Sequence, residues 1–463
     1  MNTRIESDSI GSMPVDENAY YGVQSLRAKE NFPITGHLLS HEFIVNLALI
    51  KEACTITNQE AGLLEKDKAE SIIKACKEVE KGLFDNQFIT DEIQGGAGTS
   101  MNMNMNEVIA NRANEILGGK LGTYDIVHPN DHVNMAQSTN DVIPTAGKMT
   151  VLSLLTPLFD QLSSLEKVLL KKKEEFRNIL KMGRTQLQDA VPMTLGNTFE
   201  SYASMIQRCL ERLKEASLEM KSVNLGGTAI GSRINASGYY EDHVVKTLSD
   251  LFGEKLHQAK DLFDSTENLD SFVEISGSLK AFAVSLSKMC NDLRLLSSGP
   301  RCGLNEINLP ARQNGSSIMP GKVNPVIPEV VSQVCFLVIG HDMTIALACE
   351  AGQMELNAFE PVIFSQLFES IRSMTNAIHT LNIHCIEGIT ANKDHCLDLE
   401  KNSLGIVTAL APYIGYKKSA EIAKKALREN KEIEDVVLEE GIMNRQQVEA
   451  IFSKAIEECE KEN

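Results

Sequence analysis

Residues 315–325 read GSSIMPGKVNP, placing two adjacent serines, Ser316 and Ser317, with Lys322 and Asn324 among two glycines and two prolines. Three more polar segments stand out from apolar surroundings: GGAGTSMNMNMNE (95–107), QSTND (137–141) and GRTQLQDAVP (183–192). Together they offer hydroxyls, amides, backbone N–H groups and few cations. That inventory suggests a ligand, and a helix N-terminus at 95–107 would favour an anion. Each segment also has a plainer use. Thr99 and Ser100 would cap a helix, and so would any one of Ser138, Thr139, Asn140 and Asp141. Arg184, Thr185, Gln186, Gln188 and Asp189 would make a salt-bridged corner. What exceeds these uses is surplus: one cap needs one side chain, and a turn seldom needs so many hydrogen-bonding groups.

The stretch from Gly299 to Pro325 is the longest without a helical period, and it holds four glycines and four prolines. Irregular segments of that length are usually functional or disordered. Glycines flank Ser316 and Lys322, as a hinged lid requires, and Pro328 and Glu329 then open a helix with first-turn chemistry. No G-x-S-x-G, Walker loop or G-x-G-x-x-G after a strand is present, so serine-hydrolase, NTPase and dinucleotide-dehydrogenase chemistries have no support.

The chain around these segments has 463 residues and a net charge of −18, from 45 Lys and Arg against 63 Asp and Glu. It carries no basic run, which makes nucleic acid and anionic membranes poor partners. The N-terminus MNTRIESDSIG lacks an apolar core, so no signal peptide is expected, and no membrane span is expected either. The 10 cysteines form no C-x-x-C pair and are read as free, mostly buried thiols of a reducing cytoplasm. The 10 histidines are read as surface or core side chains rather than metal ligands.

Apolar residues recur at helix spacing in Val151, Leu155, Leu158, Leu162, Leu165 and Leu169. The same period runs from Phe199 to Met220, from Phe272 to Leu293, and near 327–355 and 361–388, which predicts five long amphipathic helices in an elongated bundle. Strand signals are weak. Residues 1–138 form a mixed, mainly helical domain with helices at 40–60, 66–83 and 103–117; 139–394 form the bundle; 395–463 form a small C-terminal helical domain. A first bundle helix from about Ile143 to about Leu180 would be about 55 Å long. QSTND precedes it and GRTQLQDAVP follows it, so a site using both segments would draw them from different copies of the chain. The alternative is a monomeric bundle with two unrelated polar caps.

GSSIMPGKVNP resembles the signature loop of the fumarase/aspartase superfamily of lyases. So do AYYGVQSLRAKENF (19–32), GGAGTSMNMNMNEVIANRA, NDHVNMAQSTNDVIPT, GRTQLQDAVPMTLG, NLGGTAIG and NDLRLLSSGPRCGLNEINLP. The combination is most similar to the aspartase branch, with class II fumarases next. The resemblance implies an all-α, three-domain chain whose long five-helix bundle joins three others in a 20-helix homotetramer core, with each site shared between subunits. It implies reversible deamination of L-aspartate to fumarate through an aci-carboxylate, with Ser316 as the general base. Thr99, Ser138, Thr139 and Ser317 would hold the β-carboxylate, and Thr185, Lys322 and Asn324 the α-carboxylate. Thr99, Asn140 and Gln186 would sit near the amino group. No cofactor is implied, although a divalent cation such as Mg2+ activates some members. Gln186 stands where many members carry a histidine paired with the glutamate matching Glu329. A glutamine cannot supply a proton, and an ammonium leaving group needs none, whereas hydroxide does. The alternatives are fumarate hydration, or a non-catalytic oligomeric scaffold such as some members have become.

Overall fold

The computed structural model describes residues 2–460 and is 63% helical. Five long helices dominate: Thr139–Glu175, Leu195–Ala216, Asp270–Leu296, Val326–Glu350 and Glu360–His384. Among the described residues, strands occur only as four two-stranded sheets. By proximity the residues fall into two compact units. The first comprises 1–158, 211–281 and 336–373; the second comprises 159–210, 282–335 and 374–463.

In the first unit the helices His41–Glu60, Lys66–Glu80 and Thr99–Ile116 surround a close-packed interior. Ser40 starts the first of these by accepting the Phe43 N–H at 3.4 Å. Leu47, Ile50, Ala53 and Cys54 on that helix are fully buried. Phe43 packs on Phe364 and Phe368, whose rings stack 5.5 Å apart. In the second unit Phe176, Phe199 and Tyr202 form an edge-to-face aromatic run. A separate apolar cluster gathers Ile406, Leu410, Ile422, Ile433, Val436, Val437 and Val448.

Several boundaries differ from expectation. The first long helix begins at Thr139, not near Ile143, and ends at Glu175, not near Leu180. Its start is drawn forward by a reciprocal cap: Ser138 Oγ accepts the Asn140 N–H at 3.2 Å, and Asp141 Oδ1 accepts the Ser138 N–H at 2.9 Å. Pro144 inside this helix cannot donate to the carbonyl of Asn140; Asn224 Nδ2 supplies that bond instead, at 3.0 Å. Thr99 and Ser100 do not cap the helix that follows them. Its cap is Gly98 at φ 81°, where a Cβ would meet Ile143 Cγ2 at 2.8 Å, and Thr99 Oγ1 instead donates to Gly96 O at 2.7 Å. GRTQLQDAVP is no corner between helices but most of a β-hairpin, Leu180–Thr185 with Gln188–Thr194. Among the described residues two helices are, by length and composition alone, long and apolar enough to cross a membrane. The apolar window of Thr139–Glu175 is 78% buried within the structure, that of Val326–Glu350 only 33%.

Candidate active site

In the first unit, the QSTND segment rests on a buried polar network that sequence reasoning missed. Lys51 is fully buried, and its Nζ donates to Asn102 Oδ1 at 2.6 Å, Gln137 Oε1 at 2.8 Å and Asn134 Oδ1 at 3.0 Å. Asn102 in turn donates to Thr139 Oγ1 at 3.3 Å. Asp141, also fully buried, accepts the N–H groups of Gly226 and Thr228, both at 3.0 Å, besides that of Ser138. The NLGGTAIG segment thereby docks on the helix start. Burial pushes Lys51 down to about 8, with Asp141 among the charges opposing it. Burial pushes Asp141 up to about 6 against the pull of its N–H donors. A signal for Lys51 was available: it occupies a core position between Leu47, Ala48 and Cys54 on an otherwise apolar stripe. Asn102 and Asn106, one turn apart in the MNMNMN run, both donate to Asn134.

These contacts leave Ser138, Thr139 and Asn140 half-buried, with hydroxyls and an amide at a helix N-terminus, a place suited to an anion. Asn140 Nδ2 is engaged by Ala229 O at 2.7 Å. Thr99 is exposed and lines a cleft of about 140 Å³ with Gln24, Arg27 and Ser100. Arg27 is held there by both oxygens of Asp8, at 2.9 and 3.0 Å.

In the second unit the hairpin tip presents Thr185 and Gln186, both exposed. Gln186 and Leu187 adopt φ of 55° and 64°. A two-residue turn with both central residues left-handed is ordinarily filled by Asn-Gly or Gly-Gly, which is why its sequence does not announce a hairpin. Left-handed backbone at non-glycine residues stores strain that gathers at functional sites.

The stretch from 299 to 325 divides in two. Its first part is tied down: Glu306 N–H donates to Leu296 O at 2.8 Å, Ile307–Asn308 pairs with Thr390–Ala391, and Arg312 Nε donates to His384 O at 2.7 Å. The remainder closes on itself. Gly315 N–H donates to Lys322 O at 2.7 Å and Asn324 Nδ2 to Gly315 O at 2.8 Å. A Cβ on Gly315 would lie 2.5 Å from Lys322 O, so only glycine allows this closure. Within the loop Ser316 Oγ accepts two backbone N–H groups, from Ile318 at 3.1 Å and Met319 at 3.0 Å. Ser317 and Lys322 are exposed, and no acidic group pairs with Lys322 among the described residues.

Of the candidates named from sequence, Thr99, Ser138, Thr139 and Asn140 fall in the first unit. Thr185, Gln186, Ser316, Ser317, Lys322 and Asn324 fall in the second. Among the described residues no hydrogen bond links Thr185 or Gln186 to the loop. Glu329 lies in the first turn of Val326–Glu350. Among the described residues no three His, Cys, Asp or Glu side chains gather closely enough to hold a metal ion. Of nine described cysteines, all free, seven are buried.

This assembly of helical scaffold, hydroxyl-rich segments and serine-bearing loop matches a known class. Residues 11–340 match a family described as lyase, and residues 406–455 one described as fumarase C C-terminus. The chain belongs to this lyase family, the fumarase/aspartase superfamily. An aspartate ammonia-lyase of Helicobacter pylori is 52% identical over 97% of this chain and 96% of its own length. One of Escherichia coli K12 is 48% identical over 98% and 95%. The crystal structure of a fumarate lyase:delta crystallin from Brucella melitensis superimposes with a TM-score of 0.95 at 46% identity, covering 98% of this chain and 99% of that one. A class II fumarase from Schistosoma mansoni gives 0.94 at 33% identity, covering 97% and 98%.

Proposed function

We propose that the chain is a carbon–nitrogen lyase that converts L-aspartate reversibly to fumarate and ammonia. The observation that carries this is identity of about half the residues, over nearly the full length, with aspartate ammonia-lyases. Gln186 agrees with it, since expelling ammonia from –NH3+ needs no proton donor.

The chemistry follows from the groups available. Ser316, as alkoxide, takes the proton from the carbon bearing the β-carboxylate. The electron pair moves onto that carboxylate, giving an aci-carboxylate dianion. It then returns to form the C=C bond as the neighbouring C–N bond breaks and ammonia leaves. A serine is a weak base unless its charged form is held, and the N–H groups of Ile318 and Met319 aimed at Ser316 Oγ favour that form. Thr99, Ser138, Thr139 and Ser317 stabilise charge developing on the β-carboxylate, where preset donors act most strongly. Thr185, Lys322 and Asn324 anchor the α-carboxylate, and Asn140 and Gln186 lie by the amino group. The sequence needs no cofactor; Mg2+ is a candidate activator, tested by assay with and without the ion.

The working form is a homotetramer, cytoplasmic, with sites shared between subunits. Val326–Glu350 supports this: Val330, Phe336, Leu337, Met343 and Leu347 on it are 42%, 61%, 51%, 64% and 61% exposed. An apolar face of that extent fits packing on other copies. A helix of 37 residues lies between QSTND and the hairpin in the chain, and the proposal takes the two segments from different subunits. Incubating the purified protein with L-aspartate and following fumarate absorbance and ammonia together tests the proposal; neither product appearing would refute it.

A further inference from the structure

Glu306 is the point on which the Thr185–Gln186 hairpin hangs. Its carboxylate is fully buried between two cations of the first strand: Arg184 Nη1 lies 2.5 Å from Oε1, and Lys181 Nζ lies 3.3 Å from Oε2. Residues three apart on a regular strand point to opposite faces. Lys181 and Arg184 nonetheless reach one carboxylate, at a place where the register shifts: Met182 pairs with Pro192 but Arg184 with Asp189. The extra residue lies on the second strand, where Ala190 and Val191 face Gly183 alone; a Cβ on Gly183 would lie 2.7 Å from Val191 O, so only glycine fits opposite the bulge.

The post itself is rigid. Glu306 N–H donates to Leu296 O at 2.8 Å, and its carbonyl accepts from Asn392 N–H at 2.9 Å. Beyond the bulge, by contrast, the tip has little support. Residues 185–188 are exposed, and among the described residues the side chains of Thr185 and Gln186 make no hydrogen bond. The nearest side-chain anchors are Arg184 to Glu306 and Asp189, whose Oδ2 accepts from Ser403 Oγ at 2.8 Å.

We propose that Glu306 is a positioning residue for the reaction: through Arg184 and Lys181 it fixes the strained hairpin tip so that Thr185 and Gln186 present to the α-carboxylate and amino end of the substrate. The geometry that carries this is the buried Glu306 carboxylate held by two cations at the root of the tip, beside the bulge that faces Gly183. The proposal rests on the deamination reading for its kinetic consequence, but not for its structural one.

The test uses the full-length protein with Glu306→Gln. Because that change leaves two buried cations unpaired, Glu306→Gln combined with Lys181→Met serves as a second variant. It removes one cation with the carboxylate and leaves the group's net charge unchanged. Hydrogen exchange of residues 184–189 is expected to accelerate about tenfold or more in either folded variant while the helices keep their protection. KM for L-aspartate is expected to rise about tenfold or more, with partial recovery in Glu306→Asp. Thr185→Val, which weakens binding in the parent protein, is expected to add less than about twofold in the Glu306→Gln background, since coupled residues are non-additive. Unchanged tip exchange overturns the proposal, as do a parental KM or additive effects with Thr185→Val. If the parent protein fails to deaminate L-aspartate, the function reading falls, and tip exchange alone then decides the role of Glu306.

Discussion

Ser316 Oγ lies 3.0 Å from the backbone nitrogen of Met319 and accepts its N–H. With the Ile318 N–H on the same oxygen, the loop that delivers the hydroxyl also supplies donors for its charge. Hydrogen bonds to a charged form lower the free energy of reaching it. Replacing Ser316 with alanine removes the proposed base but no buried packing. We expect kcat to fall by at least about a hundredfold with the melting temperature and oligomer size unchanged. Steady-state kinetics beside a thermal melt checks this, and parental kcat would exclude Ser316 as the base.

Lys51 is predicted to hold the QSTND segment in place. Lys51→Met preserves the aliphatic bulk but strands the oxygens of Asn102 and Gln137, while Asn134 Oδ1 keeps its Asn102 and Asn106 donors. Each orphaned buried acceptor costs about 1–3 kcal/mol, offset in part by no longer burying a charge. A net loss of about 2–3 kcal/mol in unfolding free energy, with a rise in KM, is expected from denaturant melts and kinetics.

Glu107 caps the helix Val23–Asn31, accepting the N–H groups of Gly22 at 2.8 Å, Gln24 at 2.9 Å and Ser25 at 3.1 Å. Burial pushes its carboxyl from 4.5 up to about 7. Between those values the folded chain holds a proton that the unfolded chain has released. The stability from this group is therefore full below about 4.5 and is lost as pH rises through about 7. Glu107→Gln cannot titrate. Its stability relative to the parent is expected to improve by about 3 kcal/mol between pH 4.5 and 8, read from paired melts across that range. A difference independent of pH would contradict the shift.

Much of this was legible in the sequence. The period of three to four residues located the five long helices, because packing an apolar stripe demands it. Ser316, Lys322 and Asn324 stood out because two glycines and two prolines break that period around them. Lys51 did not, because a lysine in a helix is ordinarily solvated; only its neighbours Leu47 and Cys54 mark the position as interior. The hairpin was invisible for a different reason. Gln186 and Leu187 occupy backbone positions that glycine or asparagine usually fills, so tertiary anchoring at Glu306 overrides local preference. Thr99 was expected to cap its helix and does not, since its hydroxyl turns back to Gly96 O.

In the proposed tetramer the exposed face of Val326–Glu350 packs on other copies. Phe336 is 61% exposed, so Phe336→Asp is expected to leave the chain folded while splitting the oligomer. The proposed sharing of each site between subunits predicts that activity falls with the loss of mass. Light scattering and activity measured on the same fractions check the link; fully active monomers would break it.

The most direct measurement compares kcat/KM for L-aspartate and L-malate on one preparation, following fumarate. Efficient release of fumarate and ammonia from L-aspartate, with turnover of L-malate at least about a hundredfold weaker, is the predicted result. Efficient turnover of L-malate with none of L-aspartate would contradict it.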